Sequence, residues 1–176
     1  AEKHNMHYAA FLLNIGAIYD RLGKFSSALD YYMQIEAYLD KHPTLLEHAT
    51  YPSLITSLHN NMGNAYDEMD DNARAQVYYE KGLEDAKEYG NKNHIGLLYH
   101  NLADLMREKR DMEKGKEYLR RSMEARLELN DYNGLASNFL VKGYFLYLSD
   151  KMDESLEAYQ RALDYAFQVD SWRKIK

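Results

Sequence analysis

Asn14-Ile15-Gly16-Ala17-Ile18-Tyr19, Asn61-Met62-Gly63-Asn64-Ala65-Tyr66 and Asn101-Leu102-Ala103-Asp104-Leu105-Met106 are three versions of one phrase. Twelve residues after Gly16, Gly63 and Ala103 stands another small residue (Ala28, Ala75 or Gly115), and four further on a large one (Tyr32, Tyr79 or Leu119). A fourth copy carries Gly143, Ser155 and Tyr159, so the phrase recurs in steps of 47, 40 and 40 residues. Self-similarity at a period of this size marks a stacked repeat array. Each unit of such an array buries its apolar surface only against its neighbours.

Working outward from the phrase, the apolar spacing is helical. Ile95, Leu98, Leu102, Leu105 and Met106 share one face by the three-and-four rule, and Met112, Gly115, Leu119, Ser122 and Met123 share another. Lys109-Arg110-Asp111 between them reads as a short polar turn, so each copy is two antiparallel helices. The spacing predicts helices near 4–22, 25–41, 53–69, 72–89, 93–109, 112–129, 132–149 and 152–168. Gly23 and Gly90 fall just past helix ends, where a left-handed residue costs little. Asp70-Asp71-Asn72 and Ser149-Asp150 offer capping oxygens to the helices that follow. The stretch from Asp40 to Pro52 holds both prolines and accounts for the 47-residue step. Leu45 and Leu46 there predict a short extra turn.

Two helices approach to about 8–10 Å only where the side chains at the crossing are small. Gly16 against Ala28, with its equivalents, is expected to supply that crossing, and the aromatic four residues on to fill the wedge toward the next pair.

Composition narrows the function. The chain has 176 residues, 45% of them hydrophobic, enough for one domain with a real core. A net charge of −6 speaks against direct nucleic-acid binding, which needs a basic stripe to displace counterions. No apolar run is long enough to span a bilayer. The absence of cysteine removes disulfides and thiol chemistry and leaves the compartment open, with the cytoplasm favoured. Seventeen tyrosines are many, and read as knobs at helix contacts with their hydroxyls at the wet edge. Among seven histidines, His4 and His7 share a helical face, but no carboxylate or cysteine completes a ligand set, so no metal and no cofactor is expected. No nucleophile motif, phosphate loop or paired-carboxylate constellation is present, which points away from an enzyme.

The repeated residues resemble the tetratricopeptide repeat. Ile15, Met62 and Leu102 match the leucine of that pattern, while Lys142 departs from it. Gly16, Gly63, Ala103 and Gly143 match its glycine, and Tyr19, Tyr66, Met106 and Leu146 its tyrosine. In the second helix, Ala28, Ala75, Gly115 and Ser155 match the first alanine, and Tyr32, Tyr79, Leu119 and Tyr159 the aromatic. Ile35, Gly82, Ser122 and Ala162 stand at the last small position, with Ile35 oversized, and the usual closing proline is missing. The 40-residue step resembles the longer units of kinesin light chains, of G-protein-modulating scaffolds, and of bacterial signalling and transcriptional regulators. The resemblance implies an all-α, right-handed superhelical solenoid. Its repeats fall near 8–41, 55–89, 95–129 and 135–168, in a single domain over 1–176. Ile55, Ile95, Leu135 and Ile175 recur at forty, and Trp172 stands where Tyr132 does, so 170–176 read as the opening of a fifth unit.

In this family the first helices line a concave groove. Carried over, the groove presents Asn60, Asn64 and Asp67 from the second copy, His100, Asp104 and Arg107 from the third, and Tyr144 and Tyr147 from the fourth. Asparagine and histidine suit the amides of an extended peptide because they both donate and accept. The tyrosines suit flanking apolar side chains. Asn14, Asn61 and Asn101 are expected instead to bond neighbouring helices. The lysines of a carboxylate-clamping groove are absent. The expected function is capture of a protein or peptide within a larger regulator. An assembly scaffold pairing two chains through the C-terminal helix face is the alternative.

Overall fold

The computed structural model describes residues 6–173, and side chains through Gln168. Eight α-helices and no strands are found among the described residues. They are α1 (Met6–Arg21), α2 (Phe25–Lys41), α3 (Tyr51–Asp67), α4 (Asn72–Glu88), α5 (Lys92–Glu108), α6 (Met112–Glu128), α7 (Tyr132–Leu148) and α8 (Met152–Arg173). The fold is all-α, built of antiparallel helix pairs. A short 3-10 helix, Pro43–Glu47, fills the long α2–α3 connection and buries Leu45 while Leu46 stays exposed. His4 and Ile175 lie outside the described residues, as does the side chain of Trp172. Helix α8 runs to Arg173, past residue 168 where the spacing predicts its end. Nothing in Phe167-Gln168-Val169-Asp170 stops it, since it holds neither glycine nor proline.

The chain forms two compact units, residues 1–91 and 92–176. In the first, α1 packs on α2 and α3 on α4, and the second pair is seated on the first through α1–α3 and α2–α3 contacts. In the second, α5 packs on α6 and α7 on α8, joined by α5–α7 and α6–α7 contacts.

The turns are built alike. After α1, α3, α4, α5, α6 and α7 one residue adopts positive φ: Gly23, Asp70, Gly90, Arg110, Asn130 and Asp150. The next backbone N–H then reaches back to a carbonyl in the helix's last turn, as Asp71 does to Tyr66 and Asp131 to Arg126. Asp71, Asp111 and Asp131 cap the following helices by accepting from Arg74, Lys114 and Gly134. Asp70 and Asp150, read from sequence as caps, occupy the left-handed position instead, and Ser149 donates back to Phe145 O at 2.8 Å. The capping position comes one residue later than sequence suggests because the left-handed residue must precede it.

The Tyr32, Tyr79 and Tyr159 rings cover Gly16, Gly63 and Gly143 of their own first helices, where a Cβ would collide with them. Tyr32 also reaches the next pair, where its hydroxyl meets Asn61. Glycine is needed there for close approach, not for its φ. The short side chain does meet the crossing in the fourth pair, where Ser155 donates to Gly143 O at 2.8 Å. Gly115 faces forward instead, against the Phe145 ring of α7. Ala103 and Leu119 pack with Phe145 and Val141 in the core of the second unit. Ala28 and Ala75 are fully buried, Ala162 nearly so, and Ile35 is accommodated in full burial. Tyr19 and Tyr66 stack on Tyr31 and Tyr78 of their own second helices.

Candidate functional site

In the first unit, the polar residues of α3 are held by the tyrosine beneath them. Tyr79 leads its hydroxyl past Gly63 to within 2.9 Å of Asn64 Oδ1 and 3.2 Å of Asp67 Oδ2. One pair earlier the Tyr32 hydroxyl donates to Asp20 Oδ2 and accepts from Asn61 of the next pair. Burial raises the Asp20 carboxyl above the usual carboxylate range, and burial with Asp20 raises the Tyr32 phenol. Asn61 thus bridges neighbouring pairs as expected. Asn60 is buried, its amide 3.4 Å from Asn61 Oδ1. At the position of Asp20 and Asp67 the third copy has Arg107, and there the tyrosine beneath is Leu119. The acid and the hydroxyl that serves it disappear together. His59, one residue before Asn60, turns toward the second helices, with Nδ1 2.5 Å from Asp85 Oδ2 and Nε2 3.9 Å from Glu36.

In the second unit, α5 and α7 bring together Asp104, Arg107 and Tyr144. Arg107 Nε donates to Asp104 Oδ1 at 2.5 Å, and its guanidinium lies 5.1 Å from the centre of the Tyr144 ring. That cation–π contact is worth about 0.5–1 kcal/mol at an exposed site. Beside it α7 exposes Leu140, Tyr144 and Tyr147, at i, i+4 and i+7 on one face, with Tyr147 54% exposed. A charged pair thus borders an uncovered apolar and aromatic stripe.

His100 faces inward. Its Nδ1 lies 2.7 Å from Asn138 Oδ1, which also accepts from Arg126 Nη1 at 3.1 Å. Asn138 Nδ2 donates to Ser122 Oγ at 2.9 Å, and Ser122 donates to Gly96 O at 2.6 Å. Because the amide nitrogen of Asn138 serves Ser122, its oxygen faces His100, whose Nδ1 therefore carries the proton. Arg126 also donates to Gly134 O and pairs with Asp131 at 3.7 Å. Asn138, Ser122 and Arg126 are all buried. Ser122, by repeat position a small packing residue, thus belongs to a polar network, and Arg126 and Asn138 join it from positions outside the repeat's signature. The signal was present. Asn138 stands where the second and third copies have Leu58 and Leu98, and Arg126 where the second and fourth have Ala86 and Ala166.

Burial, and then Arg126, lower the His100 pKa below the ordinary histidine range, and burial lowers that of His94. Between the depressed folded value and about 6.5, the unfolded chain binds more protons, so stability falls as pH drops through that window. Thermal melts from about pH 7.5 to about 5.5 are expected to show a declining midpoint, with a shallower slope in His100→Gln.

No described helix is long and apolar enough to cross a membrane. No curated protein matches the chain. Among solved structures, aspartyl phosphate phosphatase F from Bacillus subtilis superposes with a TM-score of 0.82 at 16% identity, over 93% of this chain and 41% of that one. BtubC (BKLC) from P. vanneervenii superposes with a TM-score of 0.78 at 18% identity, over 92% of this chain and 64% of that one. The chain therefore spans less than two thirds of the length of either, and at these identities the likeness is one of fold. The tetratricopeptide repeat profile matches residues 9–36, 56–88 and 97–128. With more than half of its residues matched and the glycine–tyrosine crossings in place, the chain belongs to the tetratricopeptide repeat family.

Proposed function

We propose that the chain is a protein-binding module that captures a peptide or protein segment on the first-helix faces, with the main contact in the second unit. The observation that carries this reading is the uncovered stripe Leu140–Tyr144–Tyr147 on α7 beside the Arg107–Asp104 pair on α5. Aromatic and arginine side chains in such settings dominate the energetics of recognition. Asp104 and Arg107 orient a polar backbone, and Tyr144 and Tyr147 receive apolar side chains. Asn64 and Asp67 serve the first unit's face from positions fixed by Tyr79. Asn60 and His100 support those faces from below. Within a longer regulator this module would supply the ligand-receiving part. Membership of a family of protein-binding repeats and the fold likeness to aspartyl phosphate phosphatase F support that role.

Peptide display on the intact chain, followed by titration of the selected peptide, tests it. Tyr147→Ala is expected to weaken binding by about tenfold or more, the scale of a hot-spot aromatic, with the melt unchanged because the ring is exposed. Arg107→Ala should weaken it further, by loosening Tyr144 as well. Affinity unaltered in both variants would move the contact elsewhere.

A further inference from the structure

Helix α1 carries an apolar stripe that nothing within the described residues covers. Tyr8, Phe11, Ile15, Ile18 and Leu22 follow one another in steps of three and four, and Phe11, Ile18 and Leu22 are 64%, 58% and 62% exposed. One repeat on, the positions of Tyr8, Phe11, Ile15 and Ile18 are Ile55, Leu58, Met62 and Ala65 of α3, all buried in the first unit, where α3 is seated on α2, while that of Leu22 is Met69, 42% exposed beyond the helix end. Leu135 and Phe145 of α7 repeat the arrangement in the second unit, where α7 is seated on α6. The α1 stripe is thus a first-helix seating surface that no described helix covers. Together the five side chains, 38–64% exposed, form one contiguous apolar patch, and patches of this kind mark interaction sites.

Helix α8 carries the counterpart. Met152, Leu156, Leu163 and Phe167 line one side of it, with Leu156 70% and Phe167 69% exposed. In α2 the position of Leu156 is held by Leu29, which is buried. Charge sets the direction of a match. No residue from Met6 to Tyr19 is charged except through His7, and at the far end stand Asp20, engaged by the Tyr32 hydroxyl, and the cations Arg21 and Lys24. Helix α8 opens with Asp153, Glu154 and Glu157, of which Glu154 pairs with Lys151. Antiparallel seating, the relation of α7 to α6 across their tight turn, brings the acidic start of α8 to Arg21 and Lys24.

We propose that copies of this chain associate head to tail, the α1 stripe of one copy seated on the α8 stripe of another as α3 is seated on α2. The contact is heterologous, so each copy uses one surface to give and another to receive. It involves neither Arg107 nor Tyr147 and stands apart from the peptide-binding reading.

Sedimentation velocity on the intact chain, from low to high micromolar, tests it. The weight-average mass is expected to rise with concentration. Ile18→Glu and Leu163→Glu should each weaken association by about tenfold or more, since each seats a charge in an apolar contact. Both positions are exposed, so circular dichroism and the melting midpoint should match the parent. Leu156→Glu serves in place of Leu163→Glu if that variant melts early. Complementation decides the geometry. Ile18→Glu keeps an intact α8 stripe and Leu163→Glu an intact α1 stripe, so their equimolar mixture should form a one-to-one heterodimer while each alone stays monomeric. A parent that is monomeric throughout overturns the proposal. So does association lost in Ile18→Glu but kept in Leu163→Glu, which means two α1 stripes facing each other, or a mixture that stays monomeric.

Discussion

Asn138→Leu is expected to destabilise the second unit by about 3 kcal/mol, although leucine is what the repeat carries at this position in two other copies. Leu58 and Leu98 fill it with no exposure at all, so shape alone would favour the change. The loss comes from what Asn138 leaves behind. Its oxygen accepts from the Arg126 guanidinium and from His100, and its amide serves Ser122. A buried hydrogen bond to a charged group is worth about 1.5–3 kcal/mol, and a buried donor left unmet costs its full desolvation. Arg126 would keep Gly134 O and the more distant Asp131 carboxylate, too little for a buried guanidinium. Urea melts should show the loss, with a thermal midpoint about 6–12 °C lower for a chain of this size. Removing Arg126 and Ser122 at the same time, Arg126→Ala and Ser122→Ala with Asn138→Leu, restores the small residues that the fourth copy carries as Ala166 and Ala162 and should recover most of the loss. Buried networks are often replaceable as a whole though not in part. If Asn138→Leu alone melts with the parent, the network contributes nothing to stability.

That network also marks where sequence reading stops. The helices, their boundaries within a few residues and the glycine positions were legible, because a repeat restates its packing rule four times and chance matches do not survive restatement. The extra turn near Leu45 was legible because two adjacent leucines are not both readily exposed, and the turn buries one of them, Leu45. What could not be read was the direction of a side chain at a position that departs from the repeat. His100 sits at a groove-lining position by count, yet Asn138 draws it inward, and whether that happens depends on a residue 38 positions away. Asn64 and Asp67 likewise look independent of the core until Tyr79 is seen to reach them and fix their positions. The repeat reveals backbone positions. Pairwise exchanges such as Asp67 with Tyr79 against Arg107 with Leu119 reveal contacts, and they become readable only once two side chains are known to touch. The exposed stripe on α7 was partly legible, since Tyr144 and Tyr147 stand on a face where the earlier copies carry Asn64 and Asp67.

Gly63→Ala is expected to destabilise the first unit by about 2 kcal/mol, yet to stabilise it when Tyr79→Leu is present. Alanine in mid-helix normally gains about 1 kcal/mol over glycine. Here the new Cβ would sit against the Tyr79 ring, with Cε1 at 2.5 Å. Tyr79 has no room to yield, being buried and tied through its hydroxyl to Asn64 and Asp67. Overpacking of this kind costs about 1–3 kcal/mol, enough to outweigh the helix gain, and Gly63→Leu should lie at or beyond the upper end. Tyr79→Leu alone opens a void over Gly63 and should cost about 3 kcal/mol or more, counting the lost hydroxyl bonds. In that background a methyl at position 63 fills space instead of colliding, so the sign of Gly63→Ala reverses. The third pair of this same chain is the precedent, since Ala103 and Leu119 stand there where the other pairs have glycine and tyrosine, and both are buried. Chemical denaturation of the parent, the two single variants and the double variant closes the cycle. Additive losses, with no change of sign at position 63, would mean that glycine and tyrosine do not specify each other, and the crossing would need another explanation.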